Sequence, residues 1–359
     1  MMLWLMIPVG YATKDKMSFW LVGCTLRQKI YFFDLLRCVA AIAVVVIHVL
    51  GPYREQLGSI ANTDWAIAIG FNSASRWAVP VFIMITGALM LTDKREFVLD
   101  YYLKRRLGKV LVPFLVWSVF YAWLSGVSLS GFDGGLAWHT LLELPFHETY
   151  YHLGFFYYFI PLYFVIPFFR WAVQCADRTA VIAFTALWLG ITTLFLFKID
   201  GPWSQQLVLY SGYLLLGYCL FHYQWPARRW LIGLGIVMLV ATAYSVISAS
   251  FAADEYTVGR WLSYKTVNTA LIAAMVFTLC QRYGEGLKGK AQQSIGFISR
   301  YSLGVYLLHP LFLWPVRAFD LYWGSPLLMI PLWTVVCGGL ALASSYLLAK
   351  YKLTAWLVP

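Results

Sequence analysis

Asp34, Arg37 and His48 share one apolar stretch, Tyr31-Phe-Phe-Asp-Leu-Leu-Arg37, continuing after ten residues into His48-Val49-Leu50. At about 100° per residue, the eleven steps from Arg37 to His48 make three turns plus roughly 20°. A guanidinium and an imidazole therefore sit on nearly one helical stripe, about 16 Å apart along the axis. Burying them in a bilayer-spanning helix costs a few kcal/mol, at least for the Arg. Asp34 and Arg37 are i,i+3 neighbours and can pair, which lowers the cost of both. Arg37, near the cytoplasmic end, can reach a phosphate that enters from that side. His48, near the outer end, can take a proton from a hydroxyl. Singly, each residue also reads as a packing ion pair or a hydrogen-bonded interfacial His; three on one face favour function.

Two further segments carry polar groups among apolar ones. Ser299-Arg300-Tyr301-Ser302-Leu303-Gly304-Val305-Tyr306-Leu307-Leu308-His309-Pro310 places Ser302, Tyr306 and His309 on one helical face. A mid-membrane imidazole needs a partner, and in isolation His309 reads more readily as a satisfied packing residue. Asn72-Ser-Ala-Ser-Arg76-Trp-Ala-Val-Pro80 leads into Thr86-Gly87. There Pro80 removes a backbone donor and Thr86-Gly87 permits close helix approach.

The elements that hold these residues follow from composition. The chain has 359 residues, 61% of them hydrophobic and 12% charged, with a mean hydropathy of +0.69. A soluble domain carries about a quarter charged residues, so an all-α polytopic membrane protein is expected. Ten segments approach the roughly 20 residues that cross a hydrocarbon core. They are 30–50, 74–92, 107–125, 152–170, 180–197, 206–222, 230–251, 265–281, 301–318 and 326–349. With the N-terminus inside, 20 Lys and Arg fall on the inner side and 6 on the outer, Arg37 lying within the first span. That asymmetry puts both termini in the cytoplasm. Basic residues that punctuate apolar runs are topology signals, and without a compact basic domain no nucleic-acid partner is expected.

Two connections stand out. The inner one, 93–109, packs Lys94, Arg95, Lys104, Arg105, Arg106 and Lys109 beside the membrane. The outer segment 126–151 has no Lys or Arg but holds Asp133, His139, Glu143, His147 and Glu148 among Trp138, Phe146, Tyr150 and Tyr151. Carboxylates and aromatic faces suit a sugar; a positive-inside loop with belt aromatics accounts for the segment equally well. The six cysteines form no C-x-x-C or Cys/His pattern, so neither a zinc site nor a disulfide framework is expected. Gly284-Glu-Gly286-Leu-Lys-Gly289 follows a membrane span rather than a strand, fails the context of a dinucleotide motif, and reads as a flexible loop. Leu21-Val22-Gly23-Cys24 resembles a lipoprotein box, but the apolar run before it is too short. Residues 1–26 read instead as an interfacial extension, or as sequence upstream of a true start at Met17, ahead of a transmembrane domain over 27–359.

Together these segments resemble the acyltransferase-3 family of bacterial inner-membrane acyltransferases. The resemblance rests on Arg37-x10-His48, on Val79-Pro80-Val-Phe-Ile-Met-Ile-Thr86-Gly87, and on Lys104-Arg105-Arg106 running to Pro113. It continues with Tyr151-His152-Leu-Gly-Phe-Phe-Tyr158 and Ser302-Leu-Gly-Val-Tyr306-Leu-Leu-His309, in order over about residues 27–349. The Asn72-to-Arg76 run is most similar to the branch that O-acetylates enterobacterial common antigen. Two positions depart from the family pattern. Thr86 replaces the usual Ser and keeps its hydroxyl, whereas Gly154 replaces the usual Trp and removes an indole, which bears on the acceptor.

The resemblance implies ten spans in the inner membrane, acetyl-CoA as a co-substrate with no tightly bound cofactor or metal, and an acceptor hydroxyl on a lipid-linked cell-envelope glycan. It makes His48 the catalytic His and Arg37 its partner. The expected donor site is Arg37 with Lys104, Arg105, Arg106 and Lys109, which can grip phosphates through charge-assisted hydrogen bonds. Asp34, Arg76, Thr86, His152, Tyr306 and His309 are candidate substrate contacts. The competing expectation is a secondary transporter of a small polar solute that uses Asp34, Arg37 and His48. Against it, no internal repeat relates the two halves.

Overall fold

The computed structural model describes residues 30–223 and 228–358. The 1–26 extension, with Met17 and Cys24, lies outside them. Helix α1 (Tyr31–Val49) leads through a 3-10 turn over Gly51–Gln56 into α2 (Asn62–Ser73) and α3 (Ala78–Met90). Then come α4 (Leu99–Ser125), α5 (Gly134–Leu142), α6 (Gly154–Cys175), α7 (Arg178–Leu196) and α8 (Gln206–His222). The rest comprises α9 (Arg228–Ala253), α10 (Val267–Gly284), α11 (Gly289–Arg300), α12 (Ser302–Ala318) and α13 (Pro326–Lys350). Among the described residues the strands are one two-residue antiparallel pair, Val127–Ser128 with Gly131–Phe132. Every expected span is occupied by a helix, and seven are long and apolar enough by themselves to cross a membrane. The protein is an all-α multi-pass membrane protein.

Burial separates the helices into two kinds. Two-thirds of the α1 window (67%) is buried within the protein, against 17% for α9. So α1 is a central helix, and α9 turns most of its apolar surface outward. Helices α8 and α12 have only 17 residues, about 26 Å of rise, less than the roughly 30 Å of a hydrocarbon core. Both are largely buried among other helices, so their surfaces meet protein rather than lipid and need not match the bilayer.

The tightest crossing joins α3 to α8. A Cβ at Gly87 would collide with the backbone of Leu214, and one at Gly217 with the backbone of Met84. Reciprocal glycines let two helical backbones touch, as Thr86-Gly87 predicts. This crossing fixes α3, and with it Thr86, against the interior.

Two expected boundaries differ. The second span starts at Asn62, with a break at residues 74–77 that places Arg76 within the span rather than at its entrance. The third starts at Leu99, so Lys104, Arg105 and Arg106 lie on a helix and not in a loop. There one π-helical turn, Leu103–Leu107, interrupts the α-helix. Such turns re-aim the side chains around them and recur at functional sites.

Candidate active site: two cavities along one helix

Around the Arg37 end of α1, α11 packs against the central helix. Ser299 Oγ donates to Asp34 Oδ1 at 2.7 Å, and Arg37 Nη1 lies 3.8 Å from the same oxygen. The carboxylate is thus shared between a buried hydroxyl and the guanidinium, which holds Arg37 at the rim of a cavity of about 380 Å³. Arg105, Arg106 and Lys109 stand at the same cavity, whose apolar walls include Phe82, Phe156 and Phe159. Thr86 lines it as well, its hydroxyl donating to the Phe82 carbonyl at 2.9 Å. Lys104 does not line it; its ammonium pairs with Asp100 at 2.7 Å on an exposed face. Arg106 also lies 3.8 Å from Asp93, whose carboxyl is held down at about 2, chiefly by its hydrogen bonds from Arg95.

The other end of the stripe opens into a different chamber. His48 lines a cavity of about 490 Å³ with Glu148, His152, Gln206 and the tyrosines 151, 157, 158, 210, 264 and 306. The His48 ring stacks on that of His309, centroids 5.1 Å apart at 28°, and meets Tyr151 at 4.8 Å. His309 Nδ1 donates to the Val305 carbonyl at 3.1 Å, which fixes that ring against its own helix. The two rings meet face to face, which places His309 against the His48 imidazole. Two guanidiniums cap the end of α1: Arg54 Nη2 donates to Ile47 O at 2.7 Å and Arg317 Nη2 to His48 O at 2.6 Å. The last helical carbonyls have no intrahelical donor, and cations there complement the macrodipole.

The two cavities share one wall. Tyr306 and Phe155 line both. The Tyr306 hydroxyl donates to the His152 carbonyl, which ties α12 to the entry of α6. Arg37 and Thr86 line the cavity on one side of this aromatic partition and His48 the chamber on the other.

Of the remaining expected residues, Arg76 bonds Asn72 Oδ1 and the Tyr264 hydroxyl, each at 3.0 Å, and lines a third cavity that also contains His48. Within 126–151, Phe146, Glu148 and Tyr151 reach the His48 chamber, while Trp138, His139, Glu143 and His147 do not line it. Asp133 is spent locally, capping α5 through Leu136 N at 2.9 Å. No group of three or more His, Cys, Asp or Glu able to hold a metal occurs among the described residues. Sequence reasoning did not single out Arg54 and Arg317 as site residues. Their signal is six positions past His48 for one, and for the other only the tertiary contact.

A cation-rimmed, largely apolar slot thus backs onto a polar, imidazole-bearing chamber within the helices. The acyltransferase domain of the acyltransferase-3 family matches residues 30–350, and the chain belongs to that family. It is 24% identical over 301 residues, 78% of this chain and 80% of the relative, to the Bacillus subtilis (strain 168) protein named "Putative membrane-bound acyltransferase YfiQ". No solved structure matches the chain. The protein is therefore a membrane acyltransferase, and the transporter expectation gives way to this class.

Proposed function

We propose that the protein is an inner-membrane O-acetyltransferase that moves an acetyl group from cytoplasmic acetyl-CoA to a hydroxyl of a lipid-linked cell-envelope glycan. The observation that carries this reading is the shared Tyr306 and Phe155 wall between the Arg37 cavity and the His48 chamber. The phosphates of the donor engage Arg37, Arg105, Arg106 and Lys109 at the rim. Its pantetheine arm lies along the phenylalanines, and the thioester reaches the partition. The roughly 16 Å between the ends of the stripe suits an elongated donor held at one end and reacting at the other.

In the chamber, a His48 ring nitrogen takes the proton of the acceptor hydroxyl. The oxygen attacks the thioester carbonyl carbon, the C–O bond forms and the C–S bond breaks. Coenzyme A leaves as a thiolate and takes the proton from the His48 imidazolium, which returns the base to its neutral form. General base action of this kind contributes about 10²–10⁴-fold in rate. The tyrosine-rich chamber, with Glu148 and Gln206, offers aromatic faces and hydrogen-bonding groups to a sugar. The resemblance to the common-antigen branch supports a glucosamine-type acceptor, and Gly154 in place of the family Trp enlarges the space beside it.

Membranes containing the protein, incubated with acetyl-labelled acetyl-CoA, are expected to pass label into glycolipid, identified by mass spectrometry of envelope glycans from expressing and deletion strains. Label that remains wholly in acetyl-CoA, with glycans identical in both strains, overturns the reading.

A further inference from the structure

Three of the six outer-side cations expected from the sequence converge on one cavity. Arg54, Arg76 and Arg317 line a space of about 610 Å³ together with His48, Tyr151, Tyr264, Tyr322 and a single carboxylate, Asp320. None of the three guanidiniums has a carboxylate within ion-pair distance among the described residues. Their partners are neutral: the Ile47 and His48 carbonyls, Asn72 Oδ1, the Tyr264 hydroxyl and the Tyr151 ring, over which Arg317 lies at 4.5 Å. The Nε atoms of Arg54 and Arg317 are buried and make no hydrogen bond within the protein. Burial, and then the neighbouring Arg76, pull the Arg54 guanidinium down to about 10. A cluster of half-buried cations with no carboxylate in ion-pair contact repels itself, and an anion from outside the protein would relieve that cost.

We infer that this cavity binds an anionic group of the acceptor, a phosphoryl or carboxylate, and so restricts transfer to acidic acceptors. The identity of the ligand as acceptor rests on the transfer reading above; the anion site itself does not. The cavity shares His48, Ile47, Tyr151 and Tyr264 with the polar chamber. An acceptor anchored here by its anion presents a neighbouring hydroxyl to His48. Arg is suited to the task because its planar fork can grip two oxygens of a phosphate or carboxylate at once.

The test uses the full chain in phosphatidylcholine nanodiscs, with no acyl donor, titrated with inorganic pyrophosphate, glucuronate or glucose and followed by thermal shift. Pyrophosphate, which the Arg105 cavity also accepts, is scored only by the part of its binding that Arg76→Gln removes. Glucuronate is expected to stabilise the protein saturably, and glucose is not. Arg76→Gln is expected to weaken that binding by about tenfold or more, in line with loss of a charge-assisted hydrogen bond. Arg76→Lys should weaken it less, and Lys104→Gln, on an exposed face outside both cavities, should leave glucuronate binding unchanged. Equal binding of glucose and glucuronate, or binding indifferent to Arg76→Gln, overturns the inference. Displacement of the probe by phosphatidylglycerol doped into the nanodisc assigns the cavity to a lipid headgroup and overturns the acceptor assignment. Transfer assays separate the two proposals. Arg76-dependent anion binding without acetyl transfer refutes the O-acetyltransferase reading alone, whereas transfer to neutral glycans with no anion binding refutes this one alone.

Discussion

The two ends of α1 solve opposite problems. At the Arg37 end the cations stand at a rim over largely apolar walls that include Phe82, Phe156 and Phe159, an arrangement able to hold an anion at the mouth and an apolar chain behind it. At the His48 end the lining itself is polar, with imidazoles, tyrosines and half-buried guanidiniums around connected spaces that share His48 and Tyr151. An apolar slot tolerates imprecise filling because dispersion and water exclusion are not directional. A buried polar chamber leaves groups unsatisfied unless the ligand supplies their partners. On the proposed function, the first cavity confers affinity for a long flexible donor, and the second confers selectivity and chemistry.

Substitution at either end of the stripe gives the largest separation between these roles. His48→Gln is expected to lower transfer by about 10²–10⁴-fold while coenzyme A binding, measured by calorimetry, stays at the wild-type value. Arg37→Gln is expected to act the other way, raising KM for the acyl donor by roughly tenfold to a hundredfold, as loss of a charge-assisted hydrogen bond of about 1.5–3 kcal/mol implies. If both variants lose donor binding equally, the two ends are not distinct.

Gly154→Trp sharpens the comparison at the chamber. A Cβ at that position already lies 3.4 Å from the Glu148 carboxylate, so an indole must occupy chamber volume. KM for the acceptor is expected to rise by an order of magnitude or change acceptor preference, with KM for the donor unaltered. The smallest effect is expected from Lys104→Ala. An exposed i,i+4 pair contributes about 0.3–0.5 kcal/mol, so steady-state donor kinetics should move by less than twofold. A tenfold change would place Lys104 at the donor after all.

Much of this was legible from residue order. Each of the ten apolar segments is helical because its length and hydropathy allow its backbone groups no better partners than their own. The Arg37 and His48 stripe follows from helical periodicity alone, and Gly87 announces a close crossing. The positions that misled are those where a local pattern meets a tertiary constraint. The 93–109 stretch reads as a basic loop because of its charge density, but its second half continues α4 through a π-turn. Residues 126–151 read as one acidic and aromatic surface, yet Asp133 caps a helix while only Phe146, Glu148 and Tyr151 turn toward His48.

Residue order alone determined the membrane, the helices and the pairing of a cation with an imidazole on one of them, because hydropathy and a 3.6-residue period are local properties of the chain. The assembly of the site was decided by the fold. Arg317 reaches the His48 carbonyl across 269 positions, and Ser299 holds Asp34 across 265. The partition formed by Tyr306 and Phe155 exists only where α12 meets α6. Such contacts depend on how ridges of one helix fill the gaps of another, which no single helix encodes by itself.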